Sequence, residues 1–305
     1  MKTDKLTHLY NESIVNINGL VTSSRDAKIS IFDRGFLYGD SIYEVMYSKK
    51  STIVFLEEHL LRLEQSANYL NMDLNYGREQ LTEEILKTLK ASKVENAYIR
   101  LILTRGESSI TLDPNESTHN NLVIIVKPQT QHPEDYYKSG IKLMISDVIR
   151  NDKKATNPSA KSGNYLNNVM AMADAKKYGA NDALMVNNLG QISEGTTFNI
   201  WMIKNNCIYT PSTATGLLEG ITRKKILELC LLNKINVEEK IFYPKDILDA
   251  DLAFITSSTR GIMPVYQINE KIFGQAPEAL AIMKQVVDLY DQLIISELNN
   301  RLYHY

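Results

Sequence analysis

Lys161 lies in the stretch NPSAKSGNYLNN (157–168), where small residues such as Ser162 and Gly163 follow it. A lysine attacks an aldehyde only as a neutral amine, a form that a low dielectric or a nearby positive charge favours. The stretch joins a predicted strand to a predicted helix, and such a junction can place a side chain at a cleft. The small neighbours would let a bulky ligand approach. A surface lysine in a loop is the alternative interpretation.

A helix that starts directly after a glycine can bind an anion, because its first N–H groups are free and the helix dipole points at the same place. The stretch EGITRKK (219–225) has this form, with Gly220 followed by Ile221 and Thr222. The hydroxyl of Thr222 adds a further donor. An ordinary helix cap explains the same residues.

Two further features could bind phosphate. Ser257 and Ser258 lie in TSSTRG (256–261), a donor-rich loop at the end of a predicted strand. Arg62 lies between two leucines of a predicted helix, from which a guanidinium can reach inward to a phosphate with its planar set of donors. A polar turn and an arginine that extends to solvent are the alternatives.

Glu194 ends a predicted hairpin strand in QISEG. A carboxylate next to a pyridinium nitrogen keeps that ring protonated, although an exposed strand-end glutamate is the simpler interpretation. Each feature is weak alone. Together, a lysine nucleophile, two anion sites, an arginine and a carboxylate are what a phosphorylated pyridine aldehyde requires.

The elements that must position these residues begin with a hairpin, which Asn18-Gly19 predicts. Leucines at helical spacing predict an amphipathic helix over 56–72, and a second helix is predicted over 78–91. Short β-rich runs predict strands around them, over 14–19, 27–35, 41–48, 52–55, 97–106 and 121–128.

The segment 128–139 has no apolar period and contains prolines, so we predict an interdomain linker there. It separates an N-terminal domain (1–127) from a C-terminal domain (140–305). In the second domain, strands are predicted on both sides of a helix that follows Lys161, on which Leu166, Val169, Met170 and Ala173 recur at helical spacing. Two hairpins (182–195 and 197–212), a helix (220–234), a strand (251–265) and a long C-terminal helix follow. The fold class is therefore two-domain α+β.

Composition argues against several other classes of protein. Hydrophobic residues make up 44% and charged residues 23% of the 305, with a net charge of −2, which does not suit nucleic acid or an anionic membrane. The two cysteines form no disulfide framework, and the N-terminus has no apolar signal segment, so we expect a cytoplasmic protein. The five histidines show no ligand spacing, and no metal site is predicted.

At this point the sequence resembles the class IV pyridoxal-phosphate aminotransferases, which include branched-chain aminotransferases, D-amino-acid transaminases and aminodeoxychorismate lyases. Seven blocks carry the resemblance across nearly the whole chain, and they occur in the order found in the family. They are DRGFLYGDSIYEV (33–45), EEHLLRLEQSA (57–67), YIRLILTRG (98–106), AKSGNYLNNVMA (160–171), ISEGTTFNIW (192–201), GITRKKI (220–226) and ITSSTRGIMPV (255–265).

The resemblance implies a fold-type-IV enzyme with a smaller α/β N-terminal domain, a larger C-terminal pseudo-barrel domain and pyridoxal 5'-phosphate between them. It also implies a homodimer with shared active sites. Lys161 matches the lysine that binds the cofactor covalently and moves the proton, and Glu194 matches the partner of the pyridine nitrogen. The positions that match the phosphate-binding residues are Arg62, Ile221, Thr222, Ser257 and Ser258. Tyr165 corresponds to a tyrosine beside the phenolic oxygen, one residue closer to the lysine than in branched-chain enzymes.

Tyr38, Tyr43, Tyr98 and Arg100 fall at substrate positions of the family, and Tyr98 and Arg100 should share one face of a strand. The segment ESSITLDP (107–114) lacks the Arg-x-His carboxylate trap of D-amino-acid enzymes. Arg260 is a hypothetical alternative clamp for a substrate carboxylate, with a structural salt bridge as the other interpretation.

The resemblance indicates an aminotransferase for branched-chain L-amino acids or glutamate with a 2-oxo acid. A D-amino-acid transaminase and an aminodeoxychorismate lyase, which releases pyruvate and 4-aminobenzoate, remain the alternatives. A binding protein that kept the fold without turnover is a further possibility, against which the retained lysine and glutamate argue.

Overall fold

The computed structural model describes residues 13–274, 276–300 and 302–305, which form two compact units. The first unit contains the chain up to Thr130, together with Ala160–Asn164 and Ser296–Tyr305. The second unit contains Gln131–Ser159 and Tyr165–Ile295. This division differs from the predicted domains, because two segments from the later part of the chain pack in the first unit.

The first unit is built on a six-stranded antiparallel sheet in the order β2-β1-β6-β5-β3-β4. Three helices accompany it among the described residues before Thr130. The strands are β1 Ile14–Ile17, β2 Leu20–Ser23, β3 Ser41–Lys49, β4 Thr52–Ile53, β5 Ala97–Thr104 and β6 Asn121–Pro128, and the helices are α1 Arg34–Tyr38, α2 Leu56–Tyr69 and α3 Arg78–Ser92.

Alternation along β3 and β5 separates two faces of this sheet. Ile42, Met46, Ile99 and Leu101 belong to a core cluster that also contains the buried leucines of α2 and α3. Burial of one such side chain stabilises the fold by about 1.5–3 kcal/mol. Residues of opposite parity, Tyr43 among them, lie on the other face. Tyr98 and Arg100, which were predicted to share one face of a strand, are both half-buried and alternate with buried residues of β5.

The predicted hairpin at Asn18-Gly19 is confirmed. The two residues have φ values of 51° and 89°, as a two-residue turn between twisted strands requires, and β1 pairs with β2. The strand predicted over 27–35 is wrong. That stretch is irregular and leads into α1, with Ile29 and Ile31 exposed rather than buried on a sheet face.

The second unit is built on a nine-stranded mixed sheet in the order β12-β11-β10-β13-β14-β7-β8-β9, with β15 paired to β14. Pairs β7–β8, β7–β14 and β11–β12 are parallel. The strands are β7 Ile141–Ile145, β8 Asp182–Val186, β9 Ile192–Gly195, β10 Asn199–Lys204, β11 Cys207–Pro211, β12 Val237–Lys240, β13 Leu252–Ser257, β14 Gly261–Ile268 and β15 Lys271–Ile272.

Five helices follow the same order: α4 Glu134–Lys138, α5 Leu166–Lys177, α6 Ile221–Leu232, α7 Pro244–Leu248 and α8 Pro277–Asn300. The apolar side chains that led to the prediction of α5 do not form its buried face. Leu166, Val169 and Met170 are exposed, whereas Asn168 and Ala171 are buried. In the described part of the chain, no helix combines the length and apolar character needed to cross a membrane.

Candidate active site

Lys161 is fixed at the edge of the first sheet. The N–H of Tyr43 donates to the Lys161 carbonyl at 2.9 Å, and the N–H of Gly163 donates to the Ser41 carbonyl at 2.8 Å. Residues 161–163 therefore act as a short extra strand along β3. A Cβ on Gly163 would lie 2.3 Å from Ser41 Oγ, so glycine is needed here for the close approach to β3.

The Lys161 amine lies over the aromatic ring of Tyr43, with Nζ 4.5 Å from the ring centroid. The guanidinium carbon of Arg100 lies 4.0 Å from the same centroid. Two basic side chains therefore lie against one buried ring, each within the distance of a cation–π contact. The structure thus brings three of the predicted residues together within the first unit.

Arg62 is held by Glu44, a carboxylate that the sequence analysis missed. Arg62 Nε donates to Glu44 Oε1 and Nη2 donates to Oε2, both at 2.7 Å. Glu44 belongs to β3 and is completely buried. This two-point pairing fixes the plane of the guanidinium as well as its position.

His59 completes this cluster, because its Nδ1 lies 2.7 Å from Glu44 Oε2. Burial alone would raise the pKa of the Glu44 carboxyl, but the charge and hydrogen bonds of Arg62, aided by His59, lower it to about 2. Burial lowers the pKa of His59 by more than Glu44 raises it, and the charges of Arg62 and Lys161 lower it further. The ring is therefore neutral at pH 7, and its Nδ1–H donates to the ionised carboxylate.

Glu194 lies in the second unit, on β9, and is likewise buried. Its Oε1 accepts from Arg150 Nε at 2.8 Å and its Oε2 accepts from the N–H of Leu218 at 3.1 Å. Arg150 Nη1 also donates to Asn168 Oδ1 at 3.3 Å. The carboxylate is thus oriented by a charged and a neutral donor, which suits a partner for a protonated ring nitrogen.

Asn199 connects the two donor-rich segments of the second unit. Its Nδ2 donates to the Leu218 carbonyl at 2.9 Å, and its backbone pairs with Thr256 at the end of β13. A Cβ on Gly220 would lie 2.1 Å from Asn199 Oδ1, so a larger residue here would displace the Asn199 side chain. The start of α6 and the end of β13 are therefore held next to one another.

The donor set fits a phosphate. Helix α6 begins at Ile221 with Gly220 as its cap, and no side chain caps it, so the N-terminal N–H groups are left to an external acceptor. Thr222 is buried, with its Oγ1 3.5 Å from the hydroxyl of Tyr290. Ser257 Oγ is buried without a hydrogen-bond partner among the described residues, a cost that an anion oxygen would remove. Ser258 follows it, half-buried.

The remaining predicted residues lie on separate elements. Tyr165 precedes α5 and is half-buried. Tyr38 lies on α1, with the Arg34 guanidinium carbon 5.2 Å from its ring centroid, and Tyr98 lies on β5, with Lys127 Nζ at 5.2 Å from its ring centroid.

Arg260 is engaged elsewhere in the second unit. Its Nη2 donates to Asp182 Oδ2 at 3.0 Å and to Thr197 Oγ1 at 2.9 Å. Asp182 is buried. This is the structural salt bridge that the sequence analysis gave as the alternative to a carboxylate clamp.

Comparisons with known proteins identify a family for this chain. The family model "Amino-transferase class IV" matches residues 41–268. A putative branched-chain-amino-acid aminotransferase of Methanocaldococcus jannaschii is 34% identical over 85% of this chain and 89% of its own length. A D-alanine aminotransferase of Bacillus licheniformis is 31% identical over 93% of this chain and 98% of its own length.

The fold is shared with a solved structure. The branched-chain amino acid aminotransferase of Escherichia coli superposes with a TM-score of 0.87 at 23% identity, covering 92% of this chain and 94% of that one. The predicted two-domain α+β fold class is thereby confirmed. A family model matched over most of the chain, with two relatives above 30% identity, shows that the chain belongs to the class IV aminotransferase family.

Proposed function

We propose that the chain is a pyridoxal-phosphate-dependent aminotransferase that moves an amino group between a branched-chain L-amino acid or glutamate and a 2-oxo acid. The observation that carries this proposal is the Lys161 amine, held by its backbone to β3 and placed over Tyr43 beside Arg100. A lysine so fixed suits covalent attachment and proton transfer better than it suits a solvated surface.

Each set of residues has a part in this proposal. Arg62 would bind the phosphate, together with the N-terminus of α6, Thr222, Ser257 and Ser258. Glu194 would hold the ring nitrogen in its protonated form, and Tyr165 would hydrogen-bond the phenolic oxygen. Bound pyridoxal phosphate supplies an electron sink that makes the Cα proton of the amino acid acidic.

Lys161 would be the base that takes the proton from the substrate Cα and passes it to the cofactor, and it would move a proton in the reverse direction in the second half of the transfer. Arg100, whose guanidinium lies against the same tyrosine ring as the amine, would bind the substrate carboxylate. Tyr98 and Tyr38 would line the remainder of the substrate site. Arg260 has no part in this scheme, since Asp182 already neutralises it.

A half-reaction screen tests the proposal. The purified enzyme with pyridoxal phosphate is mixed with L-leucine, L-glutamate, D-alanine or D-glutamate while the visible absorption of the bound cofactor is followed. We expect conversion by L-leucine and L-glutamate, with the corresponding 2-oxo acids released. Conversion by D-amino acids alone would instead establish the second candidate, a D-amino-acid transaminase, which the Bacillus licheniformis relative favours.

Two other outcomes distinguish the remaining alternatives. Release of pyruvate and 4-aminobenzoate from aminodeoxychorismate, without any response to amino acids, would identify a lyase. A protein that takes up no pyridoxal phosphate and whose visible absorption does not respond to borohydride would be a binding protein rather than an enzyme.

We also propose a homodimer. The sequence between β2 and β3 contains four exposed apolar side chains, Ile29, Ile31, Phe32 and Phe36. A soluble monomer would place polar residues at such positions. Burial of this face against a second copy would remove it from water. Light scattering coupled to size exclusion should give twice the mass of the 34.7 kDa chain, and a monomer at micromolar concentration would contradict this.

We also propose that the protein is cytoplasmic. Both cysteines, Cys207 and Cys230, are free thiols, the form that a reducing compartment maintains. Burial raises the pKa of the Cys230 thiol to about 11, so this residue is inert. Fractionation of the producing cell should recover the activity in the cytoplasmic fraction.

A further inference from the structure

Helix α2 carries a polar stripe inside its buried face. His59, Arg62 and Ser66 follow each other at spacings of three and four residues, so they lie on one side of the helix, and all three are buried. Ser66 is 1% exposed. The first two residues contact Glu44, so the third needs its own explanation.

The hydroxyl of Ser66 joins two backbones. Its Oγ donates to the Arg62 carbonyl at 2.9 Å, one turn earlier on α2, and accepts from the N–H of Lys161 at 3.0 Å. The second bond links positions 95 residues apart. One oxygen therefore connects the helical turn that bears Arg62 to the segment that bears Lys161.

Helix stability does not account for this serine. Alanine is the better helix former, and a serine that bonds back to the carbonyl four residues earlier slightly destabilises its helix. The Lys161 carbonyl and the Gly163 N–H are fixed by the backbone of β3, whereas the Lys161 N–H is fixed by this side chain. Substitution of Ser66 alone would therefore remove the hydrogen bond to the Lys161 N–H and leave the two backbone bonds to β3 in place.

We propose that Ser66 is a positioning residue of the aminotransferase site, which sets the place of the Lys161 backbone relative to Arg62. Its hydroxyl fixes the separation between the group that reacts and the group that binds phosphate. The inference rests on the proposed function, since it assumes that Lys161 and Arg62 serve one cofactor.

The same unit contains a matched control. Ser48 is also completely buried, donates through Oγ to the Glu95 carbonyl at 3.0 Å and accepts from the N–H of Ala97 at 3.0 Å. Its two partners, Glu95 and Ala97, are not among the residues proposed to bind the cofactor. Ser66→Ala and Ser48→Ala thus remove the same pair of hydrogen bonds at two places.

The experiment compares both variants with the wild-type protein. The dissociation constant of pyridoxal phosphate is measured by equilibrium titration, the melting temperature without cofactor by calorimetry, and kcat and KM with L-leucine. We expect similar losses in melting temperature. Only Ser66→Ala should weaken cofactor binding, about fivefold to tenfold for the loss of one or two hydrogen bonds. It should also lower kcat about tenfold or more with KM for L-leucine within about twofold, since misplacement acts on the reacting geometry.

Two results would overturn the inference: cofactor affinity and kcat unchanged in Ser66→Ala, or reduced equally in Ser48→Ala. Either can occur while the wild-type enzyme still transaminates, in which case the proposed function survives. A wild-type protein that binds no pyridoxal phosphate and converts no amino acid would overturn both.

Discussion

The two units each contain a buried pair of an arginine and a glutamate, with opposite assignments. In the first unit, the proposed ligand-binding member is the arginine, Arg62, and Glu44 on β3 orients it through two hydrogen bonds of 2.7 Å. In the second unit, the proposed ligand-binding member is the carboxylate, Glu194, and Arg150 orients it at 2.8 Å. The counter-ion is the positioning group in both.

The two pairs show how a charged binding residue is kept inside the protein. A lone buried charge is costly, so each functional charge is paired in the core with an opposite charge. Arg62 and Glu194 were predicted from their places on a helix and at a strand end and from their family positions, whereas Glu44 and Arg150 were not predicted. A counter-ion can lie on any neighbouring element, so no fixed spacing in the sequence identifies it.

The largest effect on activity should come from Lys161, which belongs to neither pair. Lys161→Ala removes the proposed base and nucleophile, so kcat/KM for L-leucine should fall more than about 10³-fold. Steady-state turnover measures this, with Lys240→Ala as the control, since Lys240 Nζ also lies over a tyrosine ring, that of Tyr209, at 3.6 Å. Turnover near the wild-type rate in Lys161→Ala would refute the assignment of the lysine.

Breaking either pair should destabilise the fold by a similar amount. Glu44→Gln leaves Arg62 without its counter-charge, and Arg150→Met leaves Glu194 without its own, so each should lower the free energy of unfolding by about 3–5 kcal/mol. Chemical denaturation measures this. The double variant Glu44→Met/Arg62→Met should be more stable than Glu44→Gln, because it removes both charges. If it is less stable, the pair contributes net stability and is more than a positioning device.

Acid should weaken the first pair in a defined range of pH. The pKa of Glu44 is lowered from 4.5 to about 2, so its stabilisation is complete above pH 4.5 and is lost as the pH falls toward 2, by about 3 kcal/mol in total. The lowered pKa of His59 acts in the same direction and begins to cost stability as the pH falls below 6.5. Unfolding followed from pH 7 to pH 2 should show both losses. In Glu44→Gln the loss between pH 4.5 and pH 2 should shrink, and an unchanged profile would contradict the assignment.

The smallest effect on catalysis should come from Arg260. Its partner Asp182 is buried, so Arg260→Gln should lower the free energy of unfolding by about 1–3 kcal/mol through the unpaired carboxylate. The KM for L-leucine and for 2-oxoglutarate should stay within about twofold of the wild type. A KM raised tenfold or more with unchanged stability would instead revive the substrate clamp.

Local patterns accounted for much of the fold. The helices over 56–72 and 78–91 and the hairpin at Asn18-Gly19 were predictable because leucine spacing and turn chemistry act over a few residues. The strand over 27–35 was not, because alternation of Ile29 and Ile31 resembles a sheet face although both residues point to solvent. Tertiary context decides between these two meanings of one pattern.

Helix α5 shows a second limit of prediction from apolar spacing. Its existence followed from apolar spacing, yet its buried face includes Asn168, whose amide donates to the Thr196 carbonyl at 2.8 Å and accepts from Arg150. Leu166, Val169 and Met170 face outward. Asn168 is buried because its side chain makes these hydrogen bonds, and a pattern of hydrophobic residues does not predict them.

The backbone pairing of residues 161–163 with β3 also has a consequence for synthesis of the protein. Until residues 161–163 have been synthesised, the Tyr43 N–H and the Ser41 carbonyl, which they bind in the folded protein, are open to other chains along a strand rich in apolar side chains. Such an edge pairs readily with other chains. A fragment ending near Thr130 should therefore aggregate, and a peptide spanning 158–166 added in trans should suppress that aggregation.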